Sequence, residues 1–191
     1  MELQHINVKL YLRDPQAVKL EVLVPVFHEW IQNQVCQELL IDVADYRHVH
    51  AGPGVVLVGH QADYSVDNTD NRLGIRYNRK AALEGTNRDR FSQALRAALQ
   101  ACRRLESDEK LGGALRFNRR DLKLFVNDRM LAPNSGRLAD SVQAEFRDFF
   151  TGAFGDSEFE MKFQSDPRSL FGVEVRSAKP LELDGVLARL T

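Results

Sequence analysis

Apolar positions along the chain recur with two periods, and these divide it into strands and helices. In "HINVKLYL" (5–12), Ile6, Val8, Leu10 and Leu12 alternate with His5, Asn7, Lys9 and Tyr11, the period of a half-buried strand. Pro25 suits a first helical turn, where its missing N–H costs nothing. Val26, Phe27, Trp30, Ile31 and Val35 follow at helical spacing, so a helix is predicted over 25–37 with its apolar stripe on a sheet. Residues 38–50 read as a strand, Gly52-Pro53-Gly54 as a turn, and "GVVLVGH" (54–60) as a buried strand, which together make a hairpin. Residues 63–78 give strand, turn and return strand, the turn centred on Asn68 to Asn71.

The strongest helical pattern runs from 87 to 108, with Asn87 as N-cap and Phe91, Leu95, Ala98, Leu99, Cys102 and Leu105 on one face. Strands are predicted at 114–118 and 121–127. A third helix starts after Pro133 and carries Leu138, Val142, Phe146, Phe149 and Phe150. Strands at 158–164 and 169–176 follow, then a tail that reads as a short helix or docked arm. Helix, strand, strand thus recurs from about residues 25, 87 and 136. "RFNRRDLKLFVND" loosely resembles "KFQSDPRSLFGVEV", which would suit a duplicated ferredoxin-like βαβ arrangement. The fold class is α+β: a single domain over 1–191, with sub-units at 1–86, 87–135 and 136–191 if the repeat is genuine. It should hold a largely antiparallel sheet of about seven to eight strands with three main helices packed on it.

Composition narrows the function. A hydrophobic fraction of 43% and a charged fraction of 28% are those of a folded globular chain. The 26 basic and 27 acidic side chains leave a net charge of −1, so no broad basic face points to nucleic acid. No stretch approaches a membrane span, and the N-terminus alternates like a strand rather than a signal peptide. Cys36 and Cys102 have neither metal spacing nor an electropositive setting, and read as reduced thiols in a cytoplasmic protein. Phosphate-loop, dinucleotide-binding and serine-hydrolase motifs are all missing.

Candidate chemistry gathers on the hairpin. His48 and His50 stand two apart, so on a strand both imidazoles would leave one face and could supply two ligands to a divalent metal. With a four-residue loop (51–54), His50 opposes Val55, His48 opposes Leu57 and Asp42 opposes Asp63. Asp63 would then be the third ligand and Asp42 an orienting partner, on a face shared with Tyr46. With an odd loop, His60 joins the histidine face instead. "DNTDN" (67–71) departs from the calcium-loop pattern and reads as a turn. "RLGIRYNRK" (72–80) places Arg72 and Arg76 on one strand face, able to bind an anion or to pair with acidic residues 63, 67 and 70 across the strands.

The leading expectation is a small-ligand or protein-binding module without a catalytic motif, with Tyr46, Arg72 and Arg76 as ligand contacts. The alternative is a small metal-assisted enzyme using His48, His50, Asp63 and His60 with Asp42 behind them. In the leading reading no cofactor is needed. Partners would be a small molecule or a protein, or a second copy of the chain through an exposed strand edge, with neither nucleic acid nor membrane.

Overall fold

The alternation in β1 (Ile6–Leu12) sets the architecture, because this strand lies inside the sheet and both its faces are buried. The computed structural model describes residues 1–190. Eight strands form one open sheet in the order β2-β3-β4-β5-β1-β6-β8-β7, every neighbouring pair antiparallel. β2 (Leu40–Tyr46), β3 (Gly54–Gly59), β4 (Ala62–Asp67) and β5 (Gly74–Arg79) form a meander on one side of β1. β6 (Phe117–Val126), β8 (Gly172–Ser177) and β7 (Phe159–Phe163) complete the other.

Register defines the two faces. Val8 pairs with Tyr77 on β5 and Leu124 on β6, and Leu124 in turn with Val173 on β8. This apolar row carries α1 (Leu23–Asn33), α2 (Asn87–Ser107), α3 (Gly136–Phe154) and the short α4 (Leu183–Arg189). Phe91 of α2 stacks on Phe146 of α3 at 4.6 Å between centroids, and Phe146 meets Phe163 and Phe171 edge-on. The buried apolar residues form one continuous core reaching from Leu3 to Leu190. The protein is thus a single-domain α+β fold with one antiparallel sheet.

Three expectations about elements change. The predicted strands at 114–118 and 121–127 are one strand, β6. In consequence α1 is followed by four strands, α2 by one and α3 by two, and the duplicated ferredoxin-like arrangement is not found. The N-cap of α2 is Thr86, which accepts the Asp89 N–H while the Asp89 carboxylate accepts the Thr86 N–H at 2.7 Å, a reciprocal capping box. Asn87 is committed elsewhere: its Oδ1 accepts the Leu3 N–H at 2.7 Å and its Nδ2 donates to the Met1 carbonyl at 2.8 Å, tying the N-terminus to α2. Among the described residues no helix is long and apolar enough to cross a membrane.

Candidate functional site

The histidines separate because β2 ends early. The Asp45 carboxylate accepts the Arg47 N–H at 3.1 Å and takes its guanidinium through bonds of 2.7 to 3.0 Å, while Arg47 also pairs with Glu21. This local bonding turns the chain out of the ladder. It also holds the exposed Asp45 carboxyl down at about 2. Tyr46 pairs with Gly54, so residues 47–53 form a seven-residue connection rather than a four-residue loop. His48 and His50 lie exposed within it, off the strand. His60 is exposed in the β3–β4 turn, its N–H bonded to the Leu39 carbonyl at 2.8 Å.

Asp63 does not face the imidazoles either. It pairs with Lys80 at 2.7 Å and accepts the Gly59 N–H and an Asn78 amide N–H. Asp42 accepts the N–H of its own neighbour Val43 at 2.7 Å on the outer edge of the sheet. His48, His50, His60, Asp63 and Asp42 are therefore not brought together. Among the described residues no three His, Cys, Asp or Glu side chains are placed to hold a metal ion.

Of the expected ligand contacts, Tyr46 lies on edge strand β2, remote from Arg72 and Arg76. Those two belong to the polar face of the sheet, opposite the helices. The Arg72 guanidinium stacks 3.5 Å above the Tyr11 ring and lies 3.6 Å from Glu174. Arg76 donates from Nε to Asn7 at 2.9 Å and approaches Asp67 at 3.4 Å. At the centre of this face Lys9 and Asp67 pair at 2.6 Å, at 4% and 0% exposure. Burial lowers the Lys9 ammonium against the pull of Asp67. Burial raises the Asp67 carboxyl, but Lys9, the Thr69 N–H and Arg76 outweigh it and hold that carboxyl below its usual range. Tyr11 itself is buried, which pushes its phenol up to about 12.

A second polar cluster lies under the helices. Glu38, at the end of the α1–β2 connection, accepts the hydroxyls of Tyr64 and Tyr77, each at 2.8 Å. Gln93 of α2 donates to the Tyr77 hydroxyl at 2.7 Å. Burial pushes both phenols up, with the Glu38 charge adding to it, and pushes the nearby Cys36 thiol up to about 11. Every group here has a partner, so the cluster anchors α1 and α2 to the sheet.

Unpartnered cations gather elsewhere, where β1 ends and β6 begins. The two strands pair regularly from Ile6–Val126 to Leu10–Leu122. Then β1 advances two residues, to Leu12, while β6 runs back five, to Phe117. The three surplus residues form a bulge within Asn118–Asp121. The Asn118 side chain braces it, accepting the Arg120 N–H at 2.9 Å and donating to Asp121 at 2.8 Å. A bulge releases backbone from the ladder and re-aims its side chains, and here those include Arg119 and Arg120. Arg13 follows β1 and donates its N–H to the Arg116 carbonyl at 2.8 Å.

Arg13, Arg116, Arg119 and Arg120 line a groove of about 670 Å³ with Phe117, Asn118, Pro180 and one acid, Glu106. Glu106, in the last turn of α2, organises this pole. Its carboxylate accepts the Phe117 N–H at 2.9 Å and Arg119 at 2.8 Å, and its main-chain carbonyl accepts Arg116 at 2.7 Å. The Arg13 and Arg120 side chains have no partner among the described residues. Sequence reasoning passes over all four arginines; the available signal is three of them within Arg116–Arg120 on a chain of net charge −1. Neither a protein-family model nor a curated protein matches this chain, so function is argued from the groove's chemistry.

Proposed function

We propose that this protein is a binding module for a small anionic ligand, a phosphate ester or a carboxylate, held in the groove at the β6 bulge. The observation that carries the reading is four guanidinium groups facing one carboxylate, two of them unpartnered. Like charges held together repel, and an anion between them replaces repulsion with charge-assisted hydrogen bonds. Arginine suits this role because its planar fork meets phosphate or carboxylate oxygens two at a time. The groove's volume is that of a small-molecule site. A small ligand is favoured over a nucleic acid because the basic residues are confined to one pole of a chain with net charge −1.

Isothermal titration with inorganic phosphate, pyrophosphate and citrate at low salt tests the reading. Binding should weaken by about tenfold or more in Arg13→Ala/Arg120→Ala and should weaken as salt is raised. Arg137→Ala, an exposed change at the start of α3, should bind like the parent protein. Failure of all three anions to bind, or unchanged binding by the double variant, would sink the proposal.

A further inference from the structure

Resting on that anion-binding reading, we infer that the ligand is a phosphorylated polyhydroxyl compound of the sugar phosphate class, with its phosphate in the arginine groove and its hydroxylated body in the adjoining cleft. Arg120 lines both the groove and a neighbouring cleft of about 810 Å³ at the C-terminal end of α3. A phosphate touching Arg120 therefore has space beyond it for the rest of a molecule.

The lining of that second cleft selects what the body is. Its lining sets Arg120, Arg147 and Arg176 against Asp156, Glu158 and Glu160, and Arg176 is already paired with Asp121 at 2.7 Å, so a second anion gains nothing there. Carboxylates accept from hydroxyl groups and guanidinium groups donate to them, and this mixture meets an uncharged polyol. Thr151 and Ser157 add hydroxyls that both donate and accept. Among the described residues the side chains of Arg147, Thr151, Asp156, Ser157 and Glu158 have no partner, leaving their capacity available to a ligand. A single aromatic ring lines the cleft, that of half-buried Phe159, already packed edge-on against Phe150 and Phe154. One partly exposed ring can support the C–H face of a sugar but does not make the apolar wall that a lipid tail requires.

Calorimetry with inorganic phosphate, glucose, glucose 6-phosphate, ribose 5-phosphate, glycerol 3-phosphate and adenosine 5′-monophosphate tests this. At least one of the three phosphorylated polyols should bind about tenfold tighter than inorganic phosphate, with glucose alone much weaker. In Thr151→Val/Glu158→Gln that advantage should fall to about threefold or less while phosphate affinity holds. Both positions are exposed, and an unchanged unfolding midpoint would confirm that the variant is folded. If phosphate binds but no polyol phosphate exceeds it, or if the double variant keeps the advantage, the inference is overturned while the anion reading stands. Tighter binding of adenosine 5′-monophosphate than of every polyol phosphate overturns it in favour of a nucleotide. If none of the phosphates binds, the anion reading itself has failed.

Discussion

Replacing Lys9 with Met should be among the most damaging single changes outside the apolar core. Lys9 donates to Asp67 at 2.6 Å and to the Thr69 carbonyl at 3.0 Å. Without it, the Asp67 carboxylate keeps the Thr69 N–H at 2.8 Å, the Thr69 hydroxyl at 2.9 Å and a distant Arg76 at 3.4 Å. A fully buried charge then loses its nearest counter-ion, which costs about 3–5 kcal/mol. For a domain of this size that lowers the thermal midpoint by roughly 6–20 °C. Removing both charges together, in Lys9→Met/Asp67→Leu, leaves no unpaired carboxylate in the interior. It still frees the Thr69 N–H and hydroxyl and leaves Arg76 to Asn7, so it should recover most of that loss rather than all of it. Urea unfolding of the parent, both single variants and the double variant measures the coupling directly.

Acid adds an independent check on the same pair. The folded-state Asp67 carboxyl lies below its usual range. As pH falls through the ordinary carboxylate range near ~4, the unfolded chain takes up the proton first. The stability this group contributes is therefore complete above that range and is lost as pH drops through the lower folded value. Asp67→Asn should flatten that acid slope. A Lys9→Met variant losing less than about 1 kcal/mol, with an unchanged acid limb, would refute the reasoning by showing that water reaches the pair.

Further predictions concern the edge, the bulge and one turn. Asp42 covers the Val43 N–H on the outer side of edge strand β2, beside Leu39 and Ile41 at 57% and 54% exposure; Asp42→Ala should increase concentration-dependent association, read by light scattering. Glu106→Gln weakens the bonds to Arg119 and the Phe117 N–H, and should lower stability by about 1–3 kcal/mol in urea unfolding. Gly54 sits at φ +66° with its missing Cβ 2.0 Å from the Val66 carbonyl oxygen, so Gly54→Ala should cost at least ~2 kcal/mol or abolish folding, visible as loss of the cooperative thermal transition.

Periodicity makes the helix-facing half of the molecule legible. Ile6, Val8, Leu10 and Leu12 must share a face whichever strands flank them, and Phe91, Leu95, Ala98 and Cys102 must share a stripe that needs such a face. The polar half is less readable. Lys9 alternates like an exposed residue yet is buried, because Asp67 reaches it from β4, across β5, a contact set by strand order and not by local pattern. The histidine pair fails for a different reason. "DYRHVH" continues the alternation of β2 past Tyr46, but Asp45 bonds the Arg47 N–H and side chain and ends the strand two residues before His48. A local side-chain bond overrides a period that hydrophobicity alone would extend.

The arginine groove shows why a site can hide inside a correct reading of composition. "FNRRD" has the residues of a turn: Asn and Asp bond nearby backbone, and two charged side chains call for solvent. Asn118 does accept the Arg120 N–H, as it would in a turn between two strands. What differs is the partner. With β1 paired on both sides of it, at Leu10–Leu122 and at Leu12–Phe117, the chain does not reverse at this point, so the same local bonds produce a bulge and the strand runs on. A turn would have carried Arg119 and Arg120 outward at a loop tip, apart from Arg13 and Arg116. The bulge keeps all four beside the end of β1, where Glu106 from α2 can hold two of them and leave two for a ligand. The clustering of charge is thus a product of strand pairing, which joins residue 12 to residue 117, and no window along the chain is long enough to contain it.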